Sequence, residues 1–571
     1  MSFKEYKTLD LIKISEHISS FWKVDKTFEK SISTRDDKEF IFYEGPPSAN
    51  GMPGIHHVMA RAIKDIFCRY KTLNGFKVNR KAGWDTHGLP VELGVEKELN
   101  ISKEDIGSKI TVEEYNEACK KAVMKYTDVW NDLTKRIGYW VDIDDPYITY
   151  KSKYIESVWW LLKELYSKKL IYKGYSIQPY SPKAGTGLSS HELNQPGTYQ
   201  DITDTTVTAQ FECLSESVPD FLNKYSKIYV LAWTTTPWTL PSNTALTVGK
   251  KIEYCLIKTF NLYTHQPVNV VLAKALIDKV FKTNFIEVKN DDELIFNNDK
   301  QIPFIIKEVF LGKDIIGIKY HQLWDNAPLP DENPENAFRV ISGDFVTTDD
   351  GTGIVHTSPT FGADDAIAAK NAKPEVPPML IKNDNDELVP LVDLQGKFVK
   401  ELGPLGGKFV KNEYYEKGMA PERSVDVEIA IKLKEQNKAF RVEKYTHSYP
   451  NCWRTDKPIL YYPLNSWFIK VTEKRKDLID FNNKINWKPK STGEGRFGNW
   501  LSNANDWNLS RSRFWGIPLP IWISEDGSET KVIGSVKQLI EEINHSVKIG
   551  NMKSNPFGDF EVGNMSDENY D

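Results

Sequence analysis

The sequence predicts an α/β protein: a parallel sheet flanked by helices, with a mainly β module set into it. Three observations lead there. Amphipathic helical patterns alternate with short apolar strands over roughly the first 200 residues, the texture of a parallel nucleotide-binding sheet. From Thr203 to about Val425 the strands become short, β-branched and separated by turns. Around Tyr445 the helix-strand texture returns and persists to Trp522. At 571 residues the chain exceeds what one hydrophobic core usually supports, so two to four domains are expected.

Residues 8–30 read as an amphipathic helix, because Leu11, Ile14, Ile18 and Phe21 recur at helical spacing. The apolar run Phe40, Ile41, Phe42, Tyr43 reads as a strand that enters a loop crowded with Pro and Gly. A long helix should follow, with Val58, Ala62 and Ile66 on one stripe and Ile63, Phe67 and Tyr70 beside it. Thr111-Val-Glu-Glu114 is a capping-box pattern, opening a second long helix that carries Tyr115, Ala118, Val123, Tyr126 and Trp130. A third helix should cover roughly Tyr154 to Leu170. Inside the β module the expected strands are Ile228–Trp233, Val268–Leu272, Ile302–Ile306 and Phe345–Thr348. Asn and Asp clusters at Asn290–Asp292 and Asn297–Asp299 mark loops. The tail, Asn551 to Asp571, is acidic and rich in turn residues, and no internal repeat or low-complexity segment occurs. The expected division is a helical extension (1–38), the first half of the α/β body (39–199), the inserted module (200–444) and the return to the body (445–571).

Composition excludes several classes. Forty per cent hydrophobic and 27% charged residues are ordinary for a globular protein, and no run of 18 apolar residues is present to span a membrane. Met1 to Asp10 lacks the apolar core of a secretory signal. The five cysteines are scattered and odd in number, which argues against a disulfide framework and for a reducing cytoplasm. A formal net charge of −5 gives no global attraction to nucleic acid, so any RNA contact must use local basic patches. The lysine-rich stretch Lys470 to Lys490 reads as a solvated face.

The most informative segment is Phe42 to His57. Here a strand delivers the loop Gly45-Pro-Pro-Ser-Ala-Asn-Gly51 to a helix start at Gly54-Ile-His-His57. Unpaired helix N–H groups and the positive end of the helix dipole favour an anion there, and glycines let the backbone approach it. The imidazoles add donors for a nucleotide triphosphate. The spacing resembles the first signature of the class I aminoacyl-tRNA synthetases, and Gly83-Trp-Asp-Thr-His-Gly-Leu-Pro-Val-Glu92 narrows the match to the isoleucyl type. The resemblance implies ATP, with Mg2+, as a substrate, and L-isoleucine and tRNA(Ile) as partners of a monomer. It implies ATP binding by Gly51, Gly54, His56 and His57, with His56 and His57 as catalytic donors. The family pattern His-x-Gly-His reads Gly54-Ile55-His56-His57 here. Either His56 compensates for the lost imidazole, or the nucleotide sits differently. Asp85 is implied as the carboxylate that meets the substrate ammonium, with Pro46 as a wall; the alternative is that Asp85 caps the next helix.

A third signature, Trp507-Asn-Leu-Ser-Arg-Ser-Arg-Phe-Trp-Gly-Ile-Pro-Leu-Pro520, also resembles the family, and by position Trp507 would pack against the aliphatic side chain. Within the β module, Trp233-Thr-Thr-Thr-Pro-Trp-Thr-Leu-Pro-Ser-Asn243 and Gly351 to Asp365 resemble an editing domain. The physical need is plain. One methylene is worth only ~1–3 kcal/mol in an apolar pocket, a general figure for which isoleucine-over-valine selection is itself the standing example. A second, smaller site must hydrolyse valyl products. The resemblance implies that Thr234, Thr235 and Thr236 shape that pocket and orient water, Asp365 holds the ammonium, and His356 bars isoleucine.

Family members often bind zinc through paired Cys-x-x-Cys knuckles at the module's junctions. Here Ser181 and Ala184 stand at the first junction and Cys452 alone remains at the second, so no structural zinc is expected. No Lys-Met-Ser-Lys-Ser loop occurs in the chain. The expectation is therefore a piece of a longer synthetase, incomplete at its C-terminal side, which edits but does not activate isoleucine alone. A free-standing deacylase of mischarged tRNA and a non-catalytic tRNA-binding relative are the competing readings.

Overall fold

The computed structural model describes residues 5, 8–35, 38–282, 284–325 and 327–570. The chain divides into two compact units: Met1–Tyr172 with Phe468–Asn508 and Arg513–Asp571, and Lys173–Trp467 with Leu509–Ser512.

The first unit is mainly helical around a small parallel sheet. Lys81–Trp84 and Asp142–Ile148 pair in parallel, with a register irregularity between Lys81 and Gly83. The apolar run Phe40–Tyr43 forms no ladder. A parallel bridge, Glu39 to Lys77, and the bonds from Phe40 N–H to the Lys77 carbonyl (2.9 Å) and from Lys77 N–H to the Lys38 carbonyl (2.8 Å) join its start to the neighbouring segment. The signature helix runs Ile55–Leu73, and the residues it buries are Arg61, Cys68 and Thr72. The expected apolar stripe points outward instead: Ile63, Ile66, Phe67 and Tyr70 are all more than half exposed.

The capping box at Thr111 forms as read, with Thr111 Oγ1 accepting from Glu114 N–H (3.1 Å) and the Glu114 carboxylate accepting from Thr111 N–H (3.0 Å). The helix it opens is shorter than expected. It ends at Val123, and a separate helix, Thr127–Arg136, carries Trp130. The N-terminal pattern likewise splits into Leu11–Asp25 and Thr27–Ser33, because Lys26 takes a left-handed conformation (φ 52°). The third expected helix spans Ser152–Ser167.

The second unit is built on a ten-stranded mixed sheet. Its central strand, Ile228–Thr234, reads Ile-Tyr-Val-Leu-Ala-Trp-Thr and is buried along almost its whole length, as a strand covered on both faces requires. It pairs antiparallel with Tyr199–Glu212 and parallel with Pro267–Ala273 and Ile354–Thr357. The strand expected at Ile302 continues to Leu311. The one expected at Phe345–Thr348 does not form; the nearby strand is Arg339–Ser342. Just after that strand the Phe345 ring folds back over Gly343, where a Cβ would lie 2.6 Å from the ring. One cluster that includes Val230, Ala232, Leu246, Leu256, Ile354 and Phe361 forms the core.

The boundaries expected at 200 and 444 fall inside this unit. Ile171–Ser181 and Leu460–Ile469 are neighbours in a four-stranded sheet, and the division runs through them.

Candidate active site

In the first unit the Pro/Gly loop is pinned from beneath. The Trp130 indole N–H donates to the Gly51 carbonyl (2.9 Å), Tyr126 N–H to Ala49 (3.1 Å) and Asp85 N–H to Pro47 (3.0 Å). The loop therefore enters the helix at Gly54 in a set direction. Gly54 caps the helix in an extended conformation, and its N–H donates to His57 Nδ1 (2.9 Å). That bond leaves the proton of neutral His57 on Nε2, free to donate outward. Partial burial, with His56 and Arg61 nearby, lowers the His57 pKa and keeps the ring neutral at pH 7. The His56 and His57 rings lie 3.8 Å apart, and His57 packs edge-on against Trp130 at 4.7 Å. A Cβ at Gly54 would meet the His56 ring at 2.8 Å. Glycine at 54 and histidine at 56 thus go together sterically.

Gly83 has an equally concrete reason. The Tyr147 ring crosses it, and a Cβ there would sit 2.2 Å from Cζ. Tyr147 OH in turn donates to the Glu44 carbonyl (2.9 Å) at the loop entrance. Asp85 follows directly after the strand. Partial desolvation raises its carboxyl pKa, against the His87 N–H, which favours the charge. A small cavity lies beside Trp84, lined by Glu44, Pro47, Arg61 and Gly83 among others; neither Asp85 nor Trp507 lines it. Trp507 is 60% exposed and pairs with Ile469.

The second unit contains a cavity of about 440 Å³. Thr234, Thr235, Thr236, His356 and Asp365 all line it, together with Trp233, Thr239, Phe345, Phe361 and the Thr347–Ser358 segment. The sheet explains why two segments 117 residues apart meet: Val355 pairs with Trp233, and Thr357 pairs with Ala245. At the end of its strand, Thr234 Oγ1 accepts from Thr236 N–H (3.0 Å) and lies 3.2 Å from Thr236 Oγ1. Pro237 then starts a short 3₁₀ turn to Ser242, with its φ set for that role.

Asp365 sits in the first turn of the helix Ala363–Asn371, where the dipole favours an anion, and its carboxylate accepts from Ser358 N–H (2.9 Å). Burial nevertheless raises its pKa to about 6. His356 is buried with both ring nitrogens occupied. Nε2 lies 3.0 Å from Thr239 Oγ1 and Nδ1 lies 2.8 Å from Asn243 Nδ2. Burial pulls its pKa down to about 3, so it stays neutral and serves as a wall, with neither nitrogen left for acid–base work.

Residues 17–566 match the family model for class I tRNA synthetases (I, L, M and V). The chain belongs to this family of class I tRNA synthetases. It is 58% identical over 562 residues to an isoleucine–tRNA ligase of Cytophaga hutchinsonii, covering 96% of this chain and 49% of that relative. To an isoleucine–tRNA ligase of Bacteroides fragilis it is 55% identical over 588 residues (100% and 51%), and to one of Clostridium tetani 43% over 543 residues (94% and 46%). The chain spans about half the length of the curated relatives it matches.

Within this class I synthetase chain, sequence reading missed residues that hold the sites from behind. Glu92, 1% exposed, accepts from Arg513 Nε (2.9 Å) and from the N–H groups of Phe514 (3.1 Å) and Trp515 (2.9 Å). It thereby ties the second signature to the end of the third. Asp426 accepts from Trp238 N–H (2.9 Å) behind the threonine turn, while Lys411 bonds Asp204 (2.8 Å) and stands 3.9 Å from Asp426. Nothing in the local sequence marks Asp426, since its partners come from other elements. At the junctions, Ser181, Ala184, Cys452 and Thr455 supply one thiol, a donor set that does not fit a tetrahedral zinc ion. Among the described residues no helix is long and apolar enough to cross a membrane.

Proposed function

We propose that this chain is the part of an isoleucine–tRNA ligase that binds ATP and isoleucine and hydrolyses valyl products. In this reading 39–199 and 445–571 form the synthetic body after the 1–38 extension, and 200–444 is the editing module. What carries it is the cavity of the second unit, where three threonines, a neutral histidine and the carboxylate of Asp365, with Asp349 and Asp350 also on the lining, share one space of about 440 Å³. Asp365 is the only carboxylate of the five and takes the ammonium of the misacylated ester. His356, held rigid by two hydrogen bonds, limits the side chain to the size of valine. The threonine hydroxyls hold the attacking water, and donors fixed in advance stabilise the charge that develops on the ester oxygen.

In the first unit, His56, His57, Gly51 and Gly54 receive ATP with its Mg2+, and Pro46, Asp85 and Trp507 receive isoleucine. The remaining partner is tRNA(Ile), the setting is cytoplasmic and monomeric, and the junction positions hold no zinc. The test is hydrolysis of Val-tRNA(Ile) against Ile-tRNA(Ile) at high protein concentration. The parent chain should prefer the valyl ester, Asp365→Ala should abolish hydrolysis, and His356→Ala should admit the isoleucyl ester. Equal rates for the parent and Asp365→Ala would overturn the assignment.

A further inference from the structure

Behind the cavity of the second unit lies a continuous hydrogen-bond chain whose direction is set at one end. Tyr320 OH donates to Asn243 Oδ1 (2.8 Å), and Asn243 Nδ2 donates to the Ala245 carbonyl (2.8 Å). Tyr320, Asn243 and His356 are all buried. A carbonyl can only accept, so the Asn243 amide has one orientation; its Nδ2, which also lies 3.4 Å from the Thr357 carbonyl, meets His356 Nδ1 at 2.8 Å and cannot accept a hydrogen from it. His356 Nδ1 is then an acceptor, and the ring proton sits on Nε2. That proton goes to Thr239 Oγ1 (3.0 Å), which in turn donates its own hydrogen to the Thr236 carbonyl (2.8 Å). The hydrogens of Asn243, His356 and Thr239 along this stretch of wall are therefore directed at protein partners, whereas Ser358 Oγ, elsewhere on the cavity, has none among the described residues.

We propose that Tyr320 and Asn243 are positioning residues that hold His356 as its Nε2–H tautomer and turn the Thr239 hydroxyl onto the Thr236 carbonyl. His356 and Thr239 then offer no hydrogen to the substrate side chain, and their part of the wall favours an aliphatic one. The proposal rests on the editing reading for its substrate, but not for its tautomer. A stretch of wall with no hydrogen to give disfavours a threonyl hydroxyl, relative to a valyl methyl, more than one with a free donor does.

Two measurements test it. The first is ¹⁵N NMR of the 571-residue chain labelled at histidine, with His356 assigned by the signal lost in His356→Phe. At pH 7.5 the parent should show a protonated Nε2 and a bare Nδ1. In Asn243→Asp the carboxylate can only accept, so the proton should move to Nδ1; Thr239 must then donate to Nε2, and the Thr236 carbonyl loses that donor. The second is the ratio of Val-tRNA(Ile) to Thr-tRNA(Ile) hydrolysis. It should fall about tenfold in Asn243→Asp, the scale of one side-chain contact in such a pocket. In Tyr320→Phe, which strips Asn243 Oδ1 of its donor, it should fall less. A parent with Nδ1–H or mixed tautomers overturns the proposal, as does an Asn243→Asp chain that keeps Nε2–H or an unchanged ratio. Should Asn243→Asp fail to fold, the parent tautomer and the Tyr320→Phe ratio still decide. A parent that hydrolyses neither ester defeats the editing reading, and the tautomer alone then decides this one.

Discussion

Asp365 is held in a state that works against the fold. Its pKa rises from 3.8 to about 6 because burial opposes the charge more strongly than the Ser358 N–H supports it. Below pH 4 both the folded and the unfolded chain carry it protonated, and its contribution to stability is intact. Between pH 4 and 6 the unfolded chain ionises first, so stability falls; above pH 6 the loss is complete, on the order of 1–3 kcal/mol. Asp365→Asn should therefore stabilise the chain at pH 7.5 by that amount, and the gain should vanish below pH 4 in denaturant titrations run at both values. The same carboxylate must be ionised to meet an ammonium. Valyl ester hydrolysis should accordingly show an acidic limb near pH 6 in kcat/KM, and the conservative Asp365→Glu should keep a limb while the Asn variant has none. His356, at about 3, contributes no limb above pH 5. The position of Asp365 was legible from its motif. Its raised pKa was not, because that comes from burial, opposed by the Ser358 N–H and reinforced by the charge of Asp364, and burial is set by the packing around it.

Elements were read well where a single strand or helix carries its own signal. The central strand at Ile228, the capping box at Thr111 and the helix near Tyr154 all follow local periodicity or capping chemistry. The reading failed where a partner decides. Phe40–Tyr43 has strand composition but pairs only near Glu39, and Phe345 lines a cavity instead of joining the sheet. Gly83 shows the same dependence in reverse. Its motif flagged it, yet the reason lies in Tyr147 on the neighbouring strand, whose ring fills the place of a Cβ. Gly83→Ala should destabilise the first unit by about 2–3 kcal/mol through overpacking. Tyr147→Ala, although it leaves a gap and loses the bond to Glu44, should suppress much of that effect. A double-mutant cycle by chemical denaturation should give a coupling above about 1 kcal/mol. Additive losses would mean that the ring moves aside freely and that glycine at 83 serves another purpose.

At the scale of the whole molecule, the texture change near residue 200 falls inside the unit built on Lys173–Trp467 and not at its edge. Composition cannot see that two long strands, Ile171–Ser181 and Leu460–Ile469, are neighbours in one sheet, and these bring the ends of Lys173–Trp467 together. A segment whose ends meet, with its own ten-stranded sheet and its own core, has what a domain needs to fold alone. The fragment 173–467 should therefore unfold in one main cooperative transition. Its last residues should fray, since Trp467 loses the bonds it makes to Leu509 and Ser510 (both 2.8 Å). The buried carboxylate offers an internal check. Asp426 anchors the threonine turn through Trp238 N–H, and burial pushes its pKa up while Lys411 holds it down. Asp426→Ala strands Lys411 with Asp204 as its remaining close acid and should lower stability by about 3–5 kcal/mol, whereas removing both charges in Asp426→Ala with Lys411→Met should recover part of the loss. The fragment and the full chain should show the same penalty, measured by thermal and urea unfolding, because every partner in that cluster lies between Asp204 and Tyr449. A penalty present in the full chain but absent in the fragment would show that the module does not keep its cavity architecture on its own, and would refute its independence even if the fragment is soluble.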